Sequence, residues 1–467
     1  MTLRSRYPKP SWQSGGSERL DLPQNNETTF SRDHVNSLVT VLDLLRSQEG
    51  YTRPDLVRVS KLGRTAIAQR VSELIDRGLV EDGDLGPSTG GRAGRQLRFR
   101  AEAGHLLVAF IGASSVSVGL VDLRGKLLAR YEEPCDIAGG PDRTLDRLDF
   151  LLGQLLADRP DDPPVAVWGV GIGLPGPVEF ASGRPVAPPI MPGWDGYPVR
   201  DRLAARYRVP VWVDNEVNTM AFGELRAGRG RGERDLVYLK IGTGIGSGLI
   251  SRGRLHRGAQ GCAGDLGHVA AVDGASVICR CGNLGCLEAL AGGDALARDG
   301  QRAAEDGRSR HLAEVAARGN RITAADVGEA AQHGDPFSVE LLARCGRLVG
   351  EALATVVNIF NPSLILVGGG VAKAGEPLLA AIRETVYRRS LPLATRDLRI
   401  TRSSLGDTAG LIGAAFMVID ELFSRRHLEL WIDDGSPVGH PEIGAAAFGT
   451  PPVESRMTPA ALAAHAR

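Results

Sequence analysis

No apolar run in this sequence of 467 residues reaches the ~18 needed to cross a membrane. The first residues are rich in Arg, Pro, Ser and Gln and hold no apolar segment. That excludes a secretory signal and leaves the cytoplasm as the expected compartment. Net charge is also missing: 55 Lys and Arg balance 55 Asp and Glu, so bulk charge does not argue for nucleic acid. The balance is local, however. From Arg53 to Arg100, ten basic residues stand against six acidic ones, an excess of +4. Cysteines are few, six in all, yet Cys279, Cys281 and Cys286 fall within eight residues. In a cytoplasmic chain such clustering reads as a metal site before it reads as disulfides. Glycine is abundant, at 60 residues, which predicts many tight turns or phosphate-type loops. A composition of 43% hydrophobic and 24% charged residues predicts a soluble globular protein with a large core. The length suggests about three domains.

Residues 1–30 are polar and without periodicity, which predicts disorder. From Arg32 to Arg46, Val35, Leu38, Val39, Leu42 and Leu45 repeat at helical spacing. A second helix is expected over Arg53–Val59, after Thr52 as N-cap. A third spans Arg64–Arg77, with Ile67, Val71, Leu74 and Ile75 on one face and Gly63 as the turn before it. Gly78 ends it, Leu79–Val80 starts a strand, and GDLGPSTGGRAGRQLRFR reads as a glycine-rich hairpin. Residues 31–100 therefore form one expected domain. Beyond Gly104, short strands appear at Leu106–Ile111, Val116–Val121 and Lys126–Tyr131. The strand–turn–strand pattern from Leu107 returns at Leu236, too far along for a solenoid repeat. Two related α/β lobes facing each other across a cleft follow, over 101–225 and 226–410. A helix at 411–424 closes the first lobe. The Ala/Pro/Gly-rich stretch 425–467 reads as a loose tail, with one short helix at Pro459–His465.

A three-helix unit followed by a basic hairpin is the pattern of a winged helix-turn-helix. Its third helix would enter the major groove of operator DNA, offering Arg64, Thr65, Ala66, Gln69 and Arg70 to base edges. Arg92 and Arg95, among glycines in the hairpin, suit phosphate or minor-groove contact. A helical interaction module with solvated arginines is the plainer alternative; the wing and the local charge favour DNA.

The segment around Cys279 reads C-x-C-G-x-x-G-C-x-E, and His268 lies eleven residues before it. Three thiolates and one imidazole make a closed tetrahedral zinc site, with His268, Cys279, Cys281 and Cys286 as ligands. Four protein ligands leave no position for a catalytic water, so the expected Zn2+ is structural.

At this point the sequence resembles the ROK family of repressors, open reading frames and sugar kinases. The resemblance is carried by the cysteine core, GDLGH, NEVN at Asn215–Asn218 and GTGIGSG at Gly242–Gly248. GIGLPGPV at Gly171–Val178, PGWDGYPV at Pro192–Val199 and NPSLILVGGGVA at Asn361–Ala372 add to it. It implies a two-lobed actin/hexokinase-like (ribonuclease H-like) duplicated α/β fold, preceded in the regulator branch by a winged helix-turn-helix. It further implies that Asn215, Glu216, Asp265, His268 and Glu288 face a sugar. Hydroxyls want carboxylate acceptors and an amide that both donates and accepts.

The same resemblance argues against phosphoryl transfer. Family kinases carry Asp-x-Gly-Gly-Thr-Lys in the first strand–turn, whereas this chain has Phe110 at the Asp, with Ala113 and Ser115 for a Gly and the Lys. Glu216 stands for the catalytic Asp, one methylene longer. The expected function is a non-phosphorylating, sugar-responsive repressor. It would act as a homodimer or homotetramer on DNA, with a sugar or sugar phosphate as effector. The alternative is a sugar kinase carrying a DNA-binding arm. Control by a protein partner stays open.

Overall fold

A computed structural model describes residues 32–86, 94–158, 164–271 and 277–445. The expected disordered segment 1–30, Arg92 and the helix at Pro459–His465 lie outside them.

The chain opens with helices α1 (Arg32–Ser47), α2 (Arg53–Ser60) and α3 (Arg64–Asp76). The antiparallel strands β1 (Val80–Leu85) and β2 (Arg95–Phe99) follow. Thr52 starts α2 through a capping box: its hydroxyl accepts from the Asp55 amide, while Asp55 accepts from the Thr52 amide at 3.1 Å. Leu38, Leu42 and Leu45 of α1 are buried in one cluster with Leu56, Ile67, Val71 and Leu74, and Val35 is buried as well. Val41, rather than Val39, completes the buried stripe of α1.

The first lobe contains β3 (His105–Ile111), β4 (Ser115–Asp122), β5 (Leu127–Pro134), α4 (Pro141–Ala157) and β6 (Val167–Leu174). A short β7 (Val178–Glu179) and β8 (Arg184–Pro185), then α5 (Val199–Tyr207), β9 (Val211–Asn215) and α6 (Glu216–Ala227), complete it. The second lobe begins with β10 (Leu236–Ile241), β11 (Ile245–Ser251) and β12 (Arg254–His256). Helices α7 (Leu287–Ala291), α8 (Gly293–Glu305), α9 (Arg310–Ala317), α10 (Ala324–Gln332) and α11 (Pro336–Phe360) follow. The lobe ends with β13 (Leu364–Gly368), α12 (Glu376–Arg389), α13 (Pro392–Thr395) and β14 (Arg399–Arg402).

The two central sheets have the same order: β5-β4-β3-β6-β9 in one and β12-β11-β10-β13-β14 in the other. In each, an antiparallel meander is extended by two parallel strands. This is the duplication written in the repeated strand–turn–strand sequence.

After β14 the chain returns to the first lobe as α14 (Ala409–Leu422), which crosses α6 at very short range. A Cβ on Gly413 would lie 1.6 Å from the Thr219 carbonyl oxygen, and one on Gly223 would lie 2.2 Å from that of Ala409. Only glycine permits this crossing.

The stretch from Arg425 departs from the expected loose tail. Helix α15 (Arg425–Trp431) and the turns to Ala445 bury His427, Leu428, Trp431, Ile432 and Ile443. Trp431 packs edge-on to Phe423 and Trp168, in the same cluster as Leu38, Val41 and Phe99. Counted over the whole of 425–467, small residues and proline outweigh these large ones, yet the large ones seal the seam between the three-helix arm and the first lobe. Arg77 of the arm donates to the Ile432 carbonyl at 2.5 Å and pairs with Asp433 at 2.6 Å. The connector is held too: a Cβ on Gly104 would strike the Trp168 ring at 2.4 Å.

Candidate functional site: a cleft between the lobes

A cavity of about 1290 Å³ opens between the two lobes. Asn215, Glu216, Asp265, His268 and Glu288 all line it, so the structure brings the five sugar candidates together. Asn215 and Glu216 sit where β9 runs into α6. The Asn215 side-chain oxygen caps that helix, accepting from the amides of Val217 at 2.8 Å and Asn218 at 3.2 Å. Its amide nitrogen donates to the Gly176 carbonyl and to Glu216. Glu288 lies against the glycine turn of the second lobe and accepts from the Ile245 amide at 3.0 Å. A Cβ on Gly244 would occupy the place of its Oε2, which explains that glycine.

Glu216 is not an unencumbered base. It is buried, and Lys240 of β10 reaches across from the other lobe to place Nζ 3.0 Å from its Oε1. The Phe110 ring stands 5.8 Å from the same ammonium. Phe110 also packs against Gly410, where any Cβ would meet the ring at 1.9 Å. An aromatic ring and an ion pair therefore fill the stretch of cleft between β3 and α6. Beside them Asp214, fully buried, pairs with Arg257 at 2.7 Å, and Arg257 stacks on Phe180.

His268, Cys279, Cys281 and Cys286 form one cluster, their ligand atoms all within 4.8 Å of one another. His268 Nδ1 is 3.7 Å from Cys279 Sγ, and the Sγ atoms of Cys281 and Cys286 are 3.6 Å apart. Tetrahedral zinc geometry calls for separations of about 3.6–3.8 Å, so the donors fit the ion. Burial and the neighbouring sulfurs push the Cys286 thiol up to about 12. A divalent cation reverses that penalty by stabilising the thiolates. With Nδ1 toward the sulfurs, the His268 ring still lines the cleft.

In the arm, α3 exposes Arg64, Thr65 and Gln69, with Ala66 half-buried. Arg70 does not share that face. It points inward, pairs with Glu73 at 2.7 Å and contacts His34 of α1. One residue beyond Gln69 the helix has turned by 100°, which converts a candidate base contact into a strut between α1 and α3. Arg95 is exposed on β2.

The sequence pattern of the ROK family matches residues 109–421. The chain belongs to the ROK family. A xylose repressor of Caldicellulosiruptor bescii is 30% identical over 392 residues, 84% of this chain and 96% of the relative. A glucokinase of Halalkalibacterium halodurans is 30% identical over 312 residues, 66% of this chain and 93% of the relative. Among solved structures, a ROK family transcriptional regulator described as a homologue of the E. coli MLC protein has a TM-score of 0.75 at 26% identity. It covers 86% of this chain and 100% of its own. A ROK family glucokinase from Streptomyces griseus, in complex with glucose and AMPPNP, has a TM-score of 0.61 at 30% identity and covers 67% of this chain. The repressor and regulator relatives cover 84% and 86% of this chain, whereas the two glucokinases cover 66% and 67%.

Two residues of this ROK protein escape its sequence motifs. Lys240 is a strand residue like any other until the fold sets it opposite Glu216. Glu224 of α6, wholly buried, accepts from the Ser403 hydroxyl and from the amides of Ser404, Leu405 and Arg229. It ties the end of the second lobe to α6. A buried carboxylate among so many donors is paired, as its desolvation demands.

Proposed function

We propose that this chain is a sugar-responsive transcription repressor whose two-lobed body binds a sugar without phosphorylating it. The observation that carries this reading is the pair Phe110 and Lys240–Glu216. Phosphoryl transfer needs charge for the metal-bound phosphates and a base for the attacking hydroxyl. Here a phenyl ring holds the first position, and an ion pair across the cleft engages the second.

The sugar lies among Asn215, Glu216, Asp265, His268 and Glu288. A Zn2+ ion held by His268, Cys279, Cys281 and Cys286 would fix Cys286, the N-cap of the α7 helix that carries Glu288, and orient the His268 ring. The arm reads operator DNA with Arg64, Thr65, Ala66 and Gln69, while Arg92 and Arg95 of the hairpin contact the backbone. A homodimer or homotetramer presents two arms to a palindromic site. The chain acts in the cytoplasm, and sugar binding releases it from DNA.

A thermal-shift screen of pentoses, hexoses, amino sugars and their phosphates tests the sensor, because a specific ligand raises the melting temperature by mass action. The relatives' names put xylose and glucose first. The protein with the ligand found, ATP and Mg2+ is expected to show no phosphorylation above background. Turnover abolished by Glu216→Gln would mean that the chain is a kinase carrying a DNA-binding arm.

A further inference from the structure

We propose that His311, Glu329 and His333 form a second metal site, for a divalent transition metal ion, at the second-lobe end of the cleft. His311 lies on α9, Glu329 in the last turn of α10, and His333 is the residue that caps the C-terminus of α10. Their ligand atoms all lie within 4.8 Å of one another. Glu329 and His333 are four residues apart across the C-terminal end of α10, where the His333 amide still bonds back to the Glu329 carbonyl, and α9 brings His311 alongside. The two imidazoles lie 5.4 Å apart between centroids and 21° from parallel.

His333 is already oriented as a ligand. Its Nδ1 lies 2.9 Å from the backbone carbonyl of Glu329. A carbonyl oxygen accepts, so Nδ1 carries the proton and Nε2 keeps its lone pair. This backbone bond is the usual outer support of a metal-binding histidine. The platform is firm. Ser309 caps α9, a Thr323–Asp326 capping box starts α10, and Leu312, Val327 and Ala330 are buried beneath. The donors stand on two anchored helices, all within 4.8 Å of one another, and tetrahedral donors lie ~3.3 Å apart.

Two imidazoles and one carboxylate suit Zn2+, Co2+, Ni2+ or Cu2+ better than Mg2+ or Ca2+, which take all-oxygen shells. Unlike the closed set of three thiolates and one imidazole, three ligands leave coordination open. Glu329 and His333 line the cleft. The open position therefore suits water or an oxygen of a molecule held there.

The test is calorimetric titration of the full chain with Ni2+, with zinc content per chain measured on the same samples. One Ni2+ is expected to bind per chain in the micromolar range. His311→Ala and His333→Ala should each weaken it about tenfold or more, with zinc content and melting temperature unchanged. Absence of Ni2+ binding by the unaltered chain overturns the site, as does undiminished binding by both variants.

Discussion

Arg46 of α1 and Asp420 of α14 stand 4.0 Å apart, and the same carboxylate pairs with Arg226 at the end of α6. Arg46 also lies over the Phe423 ring, 4.4 Å from its centroid. The other end of α6 carries Asn215 as its cap and Glu216 as its first residue. One helix thus runs from the sugar candidates to the ion pair that holds the three-helix arm. Burial lowers the Arg46 pKa against the pull of Asp420 and Asp43, so these charges interact where water screens them weakly.

That geometry predicts the effect of Arg46→Met, which keeps the stem and removes the charge. Affinity for the sugar found by thermal screening should stay unchanged in calorimetry. The sugar-induced change in operator affinity, expected to be about 5- to 150-fold for a coupling of ~1–3 kcal/mol, should shrink. An undiminished response would show that the signal does not pass through Arg46 and Asp420.

Zinc content gives a second prediction. Purified under reducing, chelator-free conditions, the chain should carry one zinc held by the His268 and cysteine cluster. Cys281→Ser should lose it and should also lose the thermal response to sugar, because the start of α7, which bears Glu288, loses its anchor. Elemental analysis finding no zinc in the unaltered protein would sink this.

On DNA, the inward turn of Arg70 separates three neighbours on one helix. Arg64→Ala and Gln69→Ala should each cost about 1–3 kcal/mol of operator binding and relax base preference. Arg70→Ala should instead lower folding stability by about 1–2 kcal/mol, since it removes the strut to Glu73 and His34. Fluorescence anisotropy on operator variants, together with urea melts, separates the two effects. Equal losses of base preference from all three variants would contradict the observed side-chain direction.

The pH dependence of stability should report His427. Its ring is fully buried beside Trp212, with Nδ1 2.8 Å from the Glu421 carbonyl and Nε2 enclosed without a hydrogen-bond partner. Burial depresses its pKa below the ordinary 6.5. With a depressed folded-state value, the unfolded chain binds more protons, so stability is full above 6.5 and declines as pH falls below it. Glu421 beside it works in the opposite direction, because burial raises its pKa and protonation then favours the fold. Melting temperatures between about pH 7.5 and 5.5 should fall less steeply in His427→Gln than in the unaltered chain. Parallel curves would falsify the assignment.

The three-helix arm, the duplicated strand–turn–strand units and the three-cysteine, one-histidine cluster were all legible in the sequence. Each is written in local spacing: apolar residues at helical intervals, short β runs between glycine turns, thiols a few positions apart. Tertiary structure alone decided the rest. Arg64 and Arg70 are the same residue type on one helix, and only packing against α1 turns one outward and the other onto Glu73. Lys240 meets Glu216 across 24 residues, and Glu224 meets Leu405 across 181. His427, Trp431 and Ile443 fall in a segment of tail-like composition, yet the seam between arm and lobe consumes them. Periodicity reports which face of an element is apolar. It does not report which distant element will cover that face, nor which charge will arrive to neutralise another, because those depend on how the lobes close.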